Sequence, residues 1–365
     1  MSTQLLALHN VVPQDSVSQE LSARFMCHVI EACEESPQKL CSFVDRVYSR
    51  SGIEKRHTVI PDFLVEDPAE FRFFPRAWNL EPFPSTAQRM QVYEETSLEL
   101  AYQAAHQALE NAGVAAAEVT HLVICTCTGF FAPGLDILLG QKLGLAPTVT
   151  RCILGFMGCY AGFSGLRTAD QIVRSHDDAV VLQVCVELCS LHFQKRPLRD
   201  LLIANSLFAD GCSAALYGSQ RRKGLARLCA THSVVEQDSL EQMSWRIGDH
   251  GFEMRMDPGI PGMLKTLIVP FLEDLLAKSG VQREEIRGWA LHPGGRKIVE
   301  ELRDVLGLQN ADVQESFQVL AEYGNMSSAT IFFVLEKHLG ERRAAPTVAL
   351  GFGPGLTIEG ALFEI

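Results

Sequence analysis

The sequence predicts a layered α/β fold built from two duplicated halves. Two observations carry that prediction. Short apolar runs with strand character alternate with stretches of helical periodicity along most of the chain. The same spacing then occurs twice. His121 and Cys159 lie 38 residues apart, as do Arg287 and Asn325; Cys159 and Glu187 lie 28 apart, as do Asn325 and Gly353. A repeat this long is a duplicated α/β unit rather than a solenoid. The halves are placed at residues 1–220 and 221–365.

Taken in order, residues 5–8 read as a strand, and residues 16–34 and 37–49 as helices. Residues 61–92, with five prolines and several phenylalanines, read as a surface excursion. Residues 93–113 form an amphipathic helical pattern that stops at Gly113. A buried strand is expected at 121–126 and a helix up to about residue 143. An apolar lead-in then meets the glycine-flanked turn around Cys159, which opens another helix. Strands are expected at 179–187 and 213–217. The second half repeats the order: helix 262–278, strand 287–292, helix 296–306, a helix opened by residues 323–329, and strands at 347–352 and 356–362.

The 365 residues are 47% apolar and 21% charged, an ordinary globular balance. A net charge of -12 argues against general nucleic-acid binding. The start of the chain lacks a signal-peptide pattern, and no apolar run is long enough to span a bilayer. Eleven cysteines without a C-x-x-C pair argue against a disulfide framework and a zinc site, and no metal is expected. The expected setting is soluble, reducing and cytoplasmic.

Three polar residues fall at strand ends or helix starts of the repeated plan: Cys159, His292 and Asn325. Singly they read as an inert buried thiol, a core histidine and a helix cap. Jointly, on duplicated half-units, they form a site. A cysteine at a helix N-terminus favours its thiolate. A histidine beside it is the usual activating base. An asparagine N–H can hold a developing oxyanion or orient the histidine.

Four motifs then carry a resemblance. Gly158-Cys159-Tyr160-Ala161-Gly162, His292-Pro293-Gly294-Gly295, Gly324-Asn325-Met326-Ser327-Ser328 and Gly351-Phe352-Gly353-Pro354-Gly355-Leu356-Thr357 resemble the signature set of type III polyketide synthases, the chalcone synthase-like enzymes. The resemblance covers nearly the whole chain. It implies a thiolase-like five-layered αβαβα fold, a homodimer, and action on CoA thioesters with no further cofactor. Cys159 would hold an acyl starter; His292 and Asn325 would stabilise the enolate left when malonyl-CoA loses carbon dioxide. Phe208 and Phe252 match two gatekeeper phenylalanines. Arg46 and Arg50 match residues that meet the CoA phosphates, and Phe43 stands where a third basic residue is common.

The cavity positions depart from the plant pattern. Cys127 and Cys189 replace threonines, His192 replaces another, and Ala132 stands for a methionine that reaches across the dimer. By resemblance this points to bacterial alkylresorcinol or alkylpyrone synthases using long-chain starters, delivered by CoA or by an acyl carrier protein. The Gly351-x-Gly353-x-Gly355 run lacks dinucleotide-binding spacing and reads as a backbone loop at the site. The rivals are a ketoacyl carrier protein synthase III, a Cys-His-Asn hydrolase, and a cysteine-rich metal or redox protein.

Overall fold

The computed structural model describes residues 2–340 and 345–365. The first half runs β1 (Thr3–Val11), β2 (Ser16–Ser18), α1 (Gln19–Cys33), α2 (Gln38–Arg50), β3 (Lys55–His57), α3 (Thr86–Ala112), β4 (His121–Thr126), α4 (Leu135–Leu143), β5 (Thr150–Gly155), α5 (Ala161–Ser175), β6 (Val180–Leu188), α6 (Arg199–Leu207) and β7 (Asp210–Ser219). The second runs β8 (Ala226–Val235), β9 (Met243–Gly248), β10 (Gly251–Met256), α7 (Ile260–Ala277), β11 (Gly288–Leu291), α8 (Arg296–Val305), α9 (Gln314–Tyr323), α10 (Thr330–Gly340), β12 (Pro346–Gly353) and β13 (Thr357–Glu364).

The duplication is visible in the strand orders, β5-β4-β6-β7-β1 and β11-β12-β13-β8. In each half the first central pair is parallel and the next two are antiparallel. Among the described residues only β5 lacks a counterpart. The two sheets join through three residue pairs, Thr3–Leu5 of β1 with Ala226–Leu228 of β8.

Strand alternation sets the layers. In β6, Val180, Leu182, Val184 and Val186 face a core under α1 and α3, while Val181 and Cys185 face the opposite core. In β12, Val348 and Leu350 face a third core under α7, and Ala349 faces the middle one. Helices α5 and α10 fill that middle layer and touch both sheets. The result is helix, sheet, helix pair, sheet, helix: a thiolase-like αβαβα fold.

Several local expectations are corrected. Helix α3 starts at Thr86 rather than 93, because Ser85 and Gln88 form a capping box. Helix α1 starts at Gln19, capped by the Ser18 hydroxyl. The segment before α3 is no surface excursion: Phe71 and Phe74 are 2% and 3% exposed and pack around Phe25. Residues 323–329 open a helix only at their end, where a 3-10 turn at Ser327–Ala329 leads into α10. Gly324, at φ +72°, ends α9, and α10 starts only at Thr330.

Candidate active site

Cys159 lies just before α5, as its sequence context predicts. Gly158 turns the chain at φ +80°, and a Cβ there would come within 2.3 Å of Pro354. A Cβ on Gly353 would come within 2.6 Å of the Tyr160 ring. The second half's glycine-rich loop therefore packs directly on the turn that carries Cys159. His292 follows β11, and its N–H donates to the Leu350 carbonyl at 2.8 Å. Asn325 lies in the α9–α10 connection. Its N–H donates to the Leu207 carbonyl and its carbonyl accepts from the Ala209 N–H, both at 2.9 Å, which ties it to the strand-like segment carrying Phe208.

These three side chains line one central cavity of about 610 Å³. Cys159 is 8% exposed, and His292 and Asn325 are each 1% exposed. The Asn325 amide is oriented by its neighbours. Its Oδ1 accepts from the Ser327 N–H at 2.9 Å and the Thr330 hydroxyl at 3.4 Å. Its Nδ2 donates to the Gly294 carbonyl at 3.3 Å and stands 3.9 Å from the Cys159 Sγ. Both His292 ring nitrogens are buried without a hydrogen-bond partner.

Burial pushes the Cys159 thiol up to about 11, against hydrogen bonds from Ser327 and Asn325 that favour the thiolate. Burial also brings the His292 imidazole down to about 4. The sequence context leads one to expect a thiolate sustained by the helix N-terminus. Here desolvation outweighs it, so the thiol needs a base to react at neutral pH.

The other expected residues fall into four groups. Phe208 and Cys189 line both the central cavity and an adjoining side cavity of about 670 Å³, so they stand between the two. Cys127 lines the central cavity, and its Sγ accepts from the Gly158 N–H at 2.9 Å. His192 and Phe252 line only the side cavity and stack at 4.1 Å. His192 Nδ1 accepts from the Phe252 N–H, and Nε2 lies 2.8 Å from the Thr128 carbonyl. Burial lowers its pKa to about 3, so it is a neutral brace behind the wall. Ala132 is exposed and lines neither cavity of the protomer. Arg46 and Arg50 are exposed on α2.

Sequence reasoning missed Trp245, Met254 and the role of Glu187. Trp245 and Met254 come from the β9–β10 hairpin and line both cavities beside Phe208. Alternation offered a signal: Phe252 and Met254 share a face of β10. Glu187, next to last in β6, is fully buried, accepting from the Cys127 N–H and the Thr128 hydroxyl, each at 2.9 Å, and from the Ser328 hydroxyl at 2.5 Å. Burial pushes its carboxyl up to about 7. Among the described residues, no group of His, Cys, Asp or Glu side chains is placed to hold a metal. No helix among them is long and apolar enough to cross a membrane.

Comparison with known proteins gives a consistent result. The model of the N-terminal domain of chalcone and stilbene synthases matches residues 2–221, and that of the C-terminal domain matches residues 228–365. The alpha-pyrone synthesis polyketide synthase-like Pks18 of Mycobacterium tuberculosis is 32% identical over 331 residues, covering 88% of this chain and 82% of its own. The 1,3,6,8-tetrahydroxynaphthalene synthase of Streptomyces peucetius is 30% identical, covering 99% of this chain and 93% of its own. Among solved structures, PKS-I from the brown alga Ectocarpus siliculosus superposes with a TM-score of 0.91 at 28% identity, covering 100% of this chain and 98% of its own.

Proposed function

This chain belongs to the chalcone and stilbene synthase family of type III polyketide synthases, and from that premise we propose that it extends a long-chain acyl starter held on Cys159. The enzyme is a polyketide-forming acyltransferase that works on CoA thioesters and needs no further cofactor. In the proposed cycle His292 takes the Cys159 proton as the sulfur attacks the starter's thioester carbonyl. The CoA thiol leaves with that proton. Malonyl-CoA then enters, and loss of carbon dioxide leaves an enolate whose oxygen is held by N–H groups of Asn325 and neutral His292. The enolate carbon attacks the Cys159 thioester carbonyl, which expels the Cys159 thiolate and leaves the extended chain on CoA. The thiolate takes that chain back, releasing CoA, for another round before the product cyclises to a pyrone or resorcinol.

One observation carries this reading: Cys159, His292 and Asn325 converge on one buried cavity, with the Cys159 sulfur 3.9 Å from both Oδ1 and Nδ2 of Asn325. The long-chain assignment rests on the side cavity behind Phe208, lined by apolar groups such as Tyr48, Phe63 and Leu201. The name of the Mycobacterium tuberculosis relative speaks of alpha-pyrone synthesis, which favours the pyrone product. Arg46 and Arg50 are assigned to the CoA phosphates.

A homodimer is also proposed. Strand β5 is a sheet edge, and Ile153 on it is 41% exposed beside Phe130 at 40%. Such an edge is normally covered.

The test is a product profile by mass spectrometry, using malonyl-CoA with acetyl, aromatic and long-chain acyl-CoA starters. Long-chain pyrones or resorcinols are expected, and none from Cys159→Ala. Products from short or aromatic starters alone would remove the long-chain assignment. A single β-keto condensation product would move the activity to the synthase III class.

A further inference from the structure

Helix α6 ends in four carbonyls that have no partner within the helix, those of Asn205, Ser206, Leu207 and Phe208. Two buried side chains from early in the chain take three of them. Arg56, on β3, donates from Nη1 to the Asn205 carbonyl at 2.6 Å and to the Phe208 carbonyl at 2.7 Å. Gln19, the first residue of α1, donates from Nε2 to the Ser206 carbonyl at 2.7 Å. The two side chains are linked, because Arg56 Nε donates to Gln19 Oε1 at 3.1 Å. The remaining carbonyl, that of Leu207, accepts from the Asn325 N–H at 2.9 Å. A cation is favoured at this negative end of a helix, and the Arg56 guanidinium is held there under the Tyr48 ring at 5.9 Å.

Arg56 therefore meets the backbone pairing of Asn325 from both sides. The carbonyls it holds flank the one that receives Asn325. Its own stem packs on the residue before Asn325. A Cβ on Gly324 would come within 2.9 Å of Arg56 Cγ, 3.1 Å of its Cδ and 3.0 Å of the Leu207 oxygen. Gly324, at φ +72°, supplies both the turn and the clearance. Cys159 and His292 are held by other parts of the fold, the loop at Gly353 and Pro354 and the Leu350 carbonyl. Without the guanidinium, two carbonyls of the strip would lose their partner, and the strip would shift to find others.

We propose that Arg56 is a positioning residue for decarboxylation: with Gln19 it fixes the end of α6 as the seat on which Asn325 is held at the central cavity. Arg56 lines the side cavity and not the central one, so it acts on the reacting atoms through Asn325. The inference rests on the reading of Asn325 as a donor to the enolate oxygen.

The test separates two half-reactions of the full chain. Decarboxylation of malonyl-CoA is followed as acetyl-CoA formed without a starter, and acyl loading of Cys159 from palmitoyl-CoA by intact-protein mass spectrometry. Arg56→Lys keeps the charge and loses the planar fork. It should slow decarboxylation by roughly 10–100-fold, the scale of a displacement of about 1 Å, and leave loading within about threefold. Gln19→Leu, which keeps Arg56 and frees the Ser206 carbonyl, should act in the same direction by about threefold or more. In an Asn325→Ala background, Arg56→Lys should add less than about threefold, because the two changes act as one unit. Equal losses in both half-reactions would reduce Arg56 to a structural part and overturn the proposal. Loss of loading alone would overturn it too, making Arg56 a starter contact in the side cavity. So would unchanged decarboxylation, or a full additional loss on top of Asn325→Ala. If Arg56→Lys fails to fold, Gln19→Leu carries the same comparisons. Decarboxylation at the wild-type rate in Asn325→Ala alone would instead refute the reading of Asn325, and the proposal with it.

Discussion

At the residue scale, Cys159 and His292 are each buried against their charged forms. The thiol is pushed up to about 11 and the imidazole down to about 4, so both are neutral at pH 7. In the proposed cycle, reactivity at neutral pH depends on proton transfer from Cys159 to His292. His292→Gln should lower iodoacetamide alkylation of Cys159 at pH 7 by roughly 10²–10⁴-fold, the usual worth of a general base. The gap should close as the pH approaches 11. Overlapping pH profiles for wild type and variant would remove the histidine from that role.

Glu187 offers a separate handle at the same scale. Its carboxyl is raised from 4.5 to about 7 by burial, so the fold favours its protonated form. That contribution is complete below about pH 4.5 and is lost as the pH rises through 7. Glu187→Gln keeps the shape and removes the ionisation. Measured by urea denaturation, the variant should gain on wild type between about pH 5 and 8, by at most roughly 3 kcal/mol. A difference independent of pH would place the titration elsewhere.

At the element scale, the turn before α5 is held by the loop after β12. Tyr160 occupies the space where a Gly353 side chain would go, and Pro354 occupies that of Gly158. Gly353→Ala should therefore move the Cys159 turn. Overpacking of this kind costs about 1–3 kcal/mol, and acyl loading should drop while Cys159 itself is intact. Normal loading by a stable variant would show that the loop packs without positioning the nucleophile.

At the scale of the whole molecule, three cores separate five layers, and the site lies where the two halves meet. The exposed edge at β5, with Phe130 and Ile153, is where the proposed dimer would place a second copy. Light scattering should give twice the mass of one chain, and Ile153→Lys should shift it toward one. A wild-type mass of one chain would refute the dimer.

Although β8, α6 and α9 are not legible in the sequence alone, the duplication, most of the strands and helices in order, and the three residues that meet at the centre are. These are local or periodic properties: apolar alternation, glycine at turns, and equal spacing in both halves. Helix α4 is legible from its glycine at each end, Gly134 and Gly144. Other features exist only once distant segments are packed together. Asn325 reads as the start of a helix, yet it lies between helices because its backbone pairs with residues 207–209 from the other half. The alternation of Phe252 and Met254 marks one face of β10, but that this face and Trp245 line the cavities emerges only when the fold closes around them. Phe71 and Phe74 read as loop residues until Phe25 supplies a core for them. The charge state of Cys159 also needs the fold. A helix terminus favours a thiolate in any context, but the desolvation that opposes it depends on everything packed around the sulfur.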